Sequence, residues 1–253
     1  MVLLETLVRG TGRGARSPVK AATGHEAGKF LTPGPAALRL GRMAHIYQAD
    51  LHPGKMELIS AWLPTTSWFP GTAELAIERV GSFRFDDPEG AVGLETHLVA
   101  AGANVLQVPL SYRAAPLEGG EEFFIRTMEH SVLGRRWVYD ACGDPVYAQA
   151  LAASILSGQG QADQYYENDG VREEIPPNLV VRASGMPDGG ELVDGPQPGP
   201  ADLTVERIST GDWELSVVRI LDLGGEATED PALTAQWNGQ DVPVLLAWVL
   251  PEG

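Results

Sequence analysis

The densest run of groups able to do chemistry lies between Glu129 and Val146. It holds Glu129, His130, the adjacent Arg135 and Arg136, Trp137, Tyr139, Asp140 and Asp144. Two neighbouring guanidinium groups can fork onto a phosphate or carboxylate, and a ring beside them can stack on a sugar. His130, Arg135, Arg136, Trp137, Tyr139 and Asp140 are therefore the candidate ligand- or partner-binding residues. A structural reading competes with this one. Gly134 marks a tight turn, and the arginines then pair with Glu129, Asp140 or Asp144 to hold a following helix against a sheet. If the run is a strand, adjacent side chains point to opposite faces. One arginine is then expected in a buried salt bridge and the other in solvent. A third reading uses Glu129 and Asp144 as paired carboxylates in sugar chemistry, which requires them to converge.

Other chemistry fails on spacing. Gly24, Gly28 and Lys29 imitate a phosphate loop, but the glycines are one residue too close and Phe30 stands where Ser or Thr would bind the metal. His25, His45, His52, His97 and His130 show no ligand spacing with one another or with Cys142. Phosphoryl transfer needs a base-bearing loop, metal-binding Asp and Asn, and a phosphate-positioning Lys. No His-x-Asp loop occurs in this chain, and Lys55 is its one lysine after residue 42. No catalytic residue, metal site or cofactor is expected, and the chain is read as a non-enzyme.

The elements that would position these groups are legible in outline. Leu58, Ile59, Trp62 and Leu63 recur at helical spacing, and Pro64 ends that helix. Leu75 to Phe85 reads as a strand with a bulge at Val80-Gly81. Leu94, Thr96, Leu98 and Ala100 share one face of the next strand, and Leu106, Val108, Leu110 and Tyr112 one face of the following one. Such alternation predicts an antiparallel sheet with one face covered. Asp144-Pro145 supplies an N-cap and a first-turn proline, and Gly158 a stop. Between them Val146, Tyr147, Ala150, Leu151, Ser154 and Ile155 form one stripe. Arg172 to Pro177 and Met186 to Pro200 read as loops. Later strands are expected near Leu179–Arg182, Leu203–Ile208, Trp213–Leu223 and Val242–Leu250, the last apolar on both faces and so central. The expected fold is α+β: an antiparallel sheet with a long helix packed on one face, plus a second β-rich C-terminal portion.

The segment Glu129–Val146, together with Trp62-Leu63-Pro64-Thr65-Thr66-Ser67-Trp68-Phe69-Pro70-Gly71, resembles stand-alone proteins built on the maltokinase N-terminal cap domain. The resemblance spans about residues 43–185. It implies a small sheet with a helix that packs beside a nucleotide-binding lobe, and a setting in trehalose, maltose and glycogen metabolism. Trp62-Leu63 and Trp68-Phe69 look like the opening helix and Arg-Trp-Phe turn of that family. Ser67 replaces the Arg and Thr72 the Lys, which argues against a nucleotide-proximal role for this turn. The function implied is a non-catalytic cap-like module acting with a kinase or another enzyme of glucan metabolism. The alternatives are a small-molecule, sugar or sugar-phosphate binding protein and an enzyme of the same pathway.

Charge divides the chain. Residues 1–42 carry seven Lys or Arg against two acids, whereas the rest carries eleven against thirty-two. The division predicts residues 1–42 to be a disordered basic tail or a mis-assigned start. The resemblance implies that 43–175 is the cap-like domain, with 176–253 a β-rich extension packed on it. A net charge of -16 argues against nucleic acid and against an anionic membrane surface as partners. Cys142 is the sole cysteine, so no internal disulfide forms, and a cytoplasmic location is expected. No apolar run is long enough to span a bilayer.

Overall fold

The computed structural model describes residues 3–7, 44–72, 74–168, 171–174, 177–186, 203–225 and 228–252. In chain order the strands are β1 (Leu3–Leu7), β2 (Ala44–Ala49), β3 (Leu51–His52), β4 (Ile77–Phe85), β5 (Gly93–Ala101), β6 (Asn104–Arg113), β7 (Phe124–His130) and β8 (Gly134–Asp140). They continue with β9 (Gln164–Asn168), β10 (Val171–Glu174), β11 (Leu179–Ala183), β12 (Val205–Ser209), β13 (Trp213–Val218), β14 (Ala232–Trp237) and β15 (Gln240–Pro251). The helices are α1 (Lys55–Trp62) and α2 (Pro145–Ser157).

Two antiparallel sheets carry the molecule. One has six strands in the order β3-β7-β8-β6-β5-β4, and the other five in the order β11-β14-β15-β13-β12. A small third sheet, β1-β2-β9-β10, includes the parallel pair β2 and β9. Apart from Leu3–Leu7, the basic segment 1–42 lies outside the described residues, as does most of Met186–Pro200. Val171–Glu174 is strand where a loop was expected, because it pairs with β9.

The six-stranded sheet is covered on both faces, not one. On β5, Leu94 and Leu98 join one core and Val99 and Ala101 the other. The register sets Val99 against Leu106, His97 against Val108 and Glu95 against Leu110. The polar half of the β5 alternation therefore shares a buried face with the apolar half of β6. Alternation alone does not reveal this, because polar residues alternate alike whether they meet water or a buried partner. Helix α1 closes that face with Leu58 and Ile59, and Leu63 follows in a tight turn, Leu63–Thr65, that contains Pro64. Full burial of each such side chain contributes roughly 1.5–3 kcal/mol.

The opposite face meets α2 and the five-stranded sheet in a continuous core that includes Phe83, Leu98, Leu151, Ile155, Leu215 and Leu246. Helix α2 begins where the Asp144 side chain accepts the Val146 N–H at 3.0 Å, and it ends at Gly158 with φ of 71°. Only Pro145, Gln149, Ala153 and Ser157, spaced four apart, are exposed along it. It touches β4, β11, β13 and β15, so it is wedged between the sheets. The α+β expectation is thus met only loosely, and its long helix on one face is not found. The described residues are mostly strand, with two short helices and no long helix lying on one face, because the second sheet covers the ground such a helix would need.

A backbone junction joins the sheets. Strand β8 pairs with β6 only over Leu110–Arg113, leaving the start of β6 open. The chain leaving β13 fills the gap: Ile220 bridges to Leu106, and the Gln107 and Leu221 N–H groups donate to Arg219 O and Val105 O, each at 2.9 Å. The Gln107 amide also donates to the carbonyls of Val218 and Leu246, each at 2.9 Å. The bulge expected at Val80-Gly81 occurs where β4 shifts register between Arg79 and Gly81. The central position expected for the last strand is that of β15, between β14 and β13.

Candidate functional site

The hairpin β7–β8 carries all six residues singled out in the sequence. Gly134 turns it with φ of 72°. Arg135 Nε donates to Glu129 Oε1 at 2.7 Å, and both side chains are more than half exposed. An exposed pair of this kind contributes about 0–1 kcal/mol. His130 is buried and shapes the turn, its Nδ1 accepting the backbone N–H groups of Val132 and Leu133 at 3.1 Å. The Tyr139 hydroxyl accepts the Leu117 N–H at 2.9 Å, and its ring meets Phe124 edge-on at 5.4 Å. Arg136 and Trp137 are half-buried.

Strand alternation puts Arg136 and Asp140 on one face and Arg135, Trp137 and Tyr139 on the other. The six residues therefore do not line a common pocket. The arginines diverge, and the exposed Arg135 is the one that pairs with Glu129. Glu129 and Asp144 also stay apart. Glu129 faces Arg135 near the hairpin turn, and Asp144 lies beyond the far end of β8, about 16 Å of strand away. Asp144 is fully committed: it caps α2 and takes a two-pronged contact from Arg113.

A second constellation was not foreseen. Glu95 Oε2 accepts from Lys55 Nζ at 2.5 Å and from Arg84 Nη2 at 2.7 Å, all three buried beneath α1. His97 Nε2 lies 3.6 Å from Glu95 Oε1 and 3.5 Å from the Tyr112 hydroxyl. The Lys55 ammonium sits 5.3 Å from the centre of the Tyr112 ring. Burial pushes Glu95 upward, but Arg84, Lys55 and His97 outweigh it and hold the carboxyl well below its usual range. Burial drives His97 down to about 4, with Lys55, Arg79 and Arg84 adding to that against Glu95. At neutral pH the cluster is an ionised Glu between two cations beside a neutral His. That arrangement fixes α1 on the sheet and makes Glu95 a poor proton acceptor. The available signal was Lys55 itself, the one lysine of the acidic part of the chain, opening a helix whose apolar face must be buried.

Arg219 is the other residue that sequence reasoning missed. It interrupts the apolar run Val217-Val218-Arg219-Ile220-Leu221, and its side chain is 1 % exposed. Its Nη2 lies 2.6 Å from Asp140 Oδ2 and 3.6 Å from Glu206 Oε2, and its guanidinium carbon is 5.0 Å from the Trp68 ring centre. Trp62 meets Trp68 edge-on at 6.2 Å. Burial also raises the Cys142 thiol well above its ordinary range, which leaves it protonated and unreactive. Register aligns Arg84, Glu95, Leu110 and Asp140 across four strands, so the two ion networks flank Leu110 on one face.

No curated protein matches the chain. No described helix is long and apolar enough to cross a membrane. A family model does match, from Trp62 at the end of α1, through β4 to β8, to Asp144 at the cap of α2. That family is the maltokinase N-terminal cap domain, and over residues 62–144, about a third of its length, this chain carries a cap-like domain.

Proposed function

We propose that this protein is a non-catalytic, maltokinase-related cap module that acts in the cytoplasm with an enzyme of trehalose and α-glucan metabolism, first of all a sugar kinase. The match of residues 62–144 to the maltokinase N-terminal cap domain carries the reading. Two ion pairs within the matched segment support it further, Arg84 with Glu95 and Arg113 with Asp144. Groups held in this way stiffen a scaffold and are poorly placed to exchange protons or phosphoryl groups with a substrate. A sugar-phosphate reading rests on Arg135 and Trp137, which share one face of β8.

Crosslinking in the native host, followed by partner identification and reconstitution from purified components, tests the proposal. The expected result is a stoichiometric complex with a sugar kinase or glucan enzyme. Phosphorylation of maltose by the isolated chain and ATP, abolished in Lys55→Ala, would overturn it.

A further inference from the structure

Two of the three guanidinium nitrogens of Arg219, Nε and Nη1, are buried and donate no hydrogen bond. Between them they hold three N–H donors. Donors sealed in a core without acceptors lose their hydration, and the contact with the Trp68 ring offsets that only in part, so their retention points to an acceptor that occupies the site. The surroundings specify what that acceptor belongs to. Asp140 and Glu206 already set two carboxylates against the one guanidinium. An anionic ligand would bring a third negative charge and be repelled. A neutral molecule whose hydroxyls both accept from Arg219 and donate to Glu206 fits the charge balance. Trp68 adds an aromatic face suited to the C–H face of a saturated ring.

We propose that Arg219, Glu206 and Trp68 form a binding site for a neutral polyhydroxylated ring, an unphosphorylated sugar, that is shut when Trp68 rests on the guanidinium. The site lies at the junction of the two large sheets, where Ile220 bridges to Leu106. The Glu206 side chain is 40 % exposed and marks the side open to solvent. Trp68 is half-buried on the turn after α1, held by the Arg219 face and the Trp62 edge. Both contacts are modest, so the turn can move outward to admit the ring. This site uses residues on both sides of the boundary at residue 144, and it stands whether or not the protein caps a kinase.

Calorimetry and tryptophan emission on the full chain, with D-glucose, D-glucose 6-phosphate and inorganic phosphate as probes, test the proposal. Glucose is expected to bind saturably, to shift the emission and to outcompete both phosphates. Glu206→Gln should weaken glucose by about tenfold, the loss of one charge-assisted hydrogen bond, with the melting temperature unchanged. Trp68→Leu should remove most of the emission change. Arg219→Lys is not decisive, because it can unfold the junction, and the half-exposed Glu206 keeps the test open. Absence of saturable glucose binding, tighter binding of either phosphate, or equal glucose affinity in Glu206→Gln each overturns the assignment.

Discussion

Arg113 grips Asp144 with Nε and Nη2, each 2.6 Å from a different carboxylate oxygen, and one of those oxygens also accepts the first free N–H of α2. The last residue of β6 is thereby fastened to the residue that starts the helix. Proline at the first helical position needs no N–H partner, so a single carboxylate both begins the helix and fixes its angle against the sheet. Geometry of this two-pronged kind is where an Arg–carboxylate pair is strongest.

The cost of removing Asp144 should therefore exceed that of a lost cap. A cap alone is worth about 1 kcal/mol. Stranding a largely buried guanidinium adds about 1–3 kcal/mol. Asp144→Ala is expected to lose the sum, and Asp144→Asn, which keeps a capping oxygen, only the second part. Urea denaturation of both variants checks the order. Equal losses would show that the cap contributes nothing.

Glu95 is the keystone of the cluster under α1. Glu95→Gln leaves Lys55 and Arg84 facing each other in a dry site, which should cost about 3–5 kcal/mol. Lys55→Met should cost less, because Arg84 still neutralises Glu95 and the methionine refills the buried space of the lysine stem. Denaturation midpoints that reverse this order would mean that α1, and not the charge pairing, sets the stability.

The parts of this architecture written in local chemistry were readable from the chain. Asp144, Pro145 and Gly158 bound α2 because capping depends on a few adjacent residues. The apolar run Val242–Leu250 announced the central strand, and both faces are covered from Val244 to Leu250. Strand β14 was missed, since its sequence Ala-Leu-Thr-Ala-Gln-Trp shows only weak alternation and gains its identity from pairing with β11 and β15. The Lys55–Glu95 network was missed for a related reason. Its members are 40 residues apart, and only the β4–β5 register and the descent of α1 bring them together. The aromatic and basic hairpin drew attention by composition, yet strand alternation divides its residues between two faces.

Gly143 offers a purely steric test. A Cβ built there would lie 2.0 Å from the Phe123 ring, which rests directly on the glycine. Gly143→Ala should push the ring away and cost about 1–3 kcal/mol. In a Phe123→Leu background the same change should cost distinctly less, because the smaller side chain can retreat. A double-mutant cycle showing no coupling would mean that the glycine is needed for its backbone alone.

His97 makes the stability of the protein depend on mild acid. In the folded chain its pKa is pushed down to about 4, first by burial. Unfolded, it returns to about 6.5. Between those values the unfolded chain binds a proton that the folded chain refuses, so stability falls as pH drops from about 6.5 to about 4. At about 1.4 kcal/mol per unit, the loss is on the order of 3 kcal/mol. Glu95 acts in a lower window. Its folded value is depressed, so its contribution is intact above the unfolded value of about 4.3 and is lost only as pH falls further. The two are therefore separable by pH. Unfolding free energies at about pH 7, 5.5 and 4.5 should decline in that order in the wild type. In His97→Gln, which cannot take up the proton, the decline over the upper window should flatten even though the variant starts lower. Parallel slopes for the two proteins between pH 6.5 and 4.5 would show that His97 is not the group that titrates.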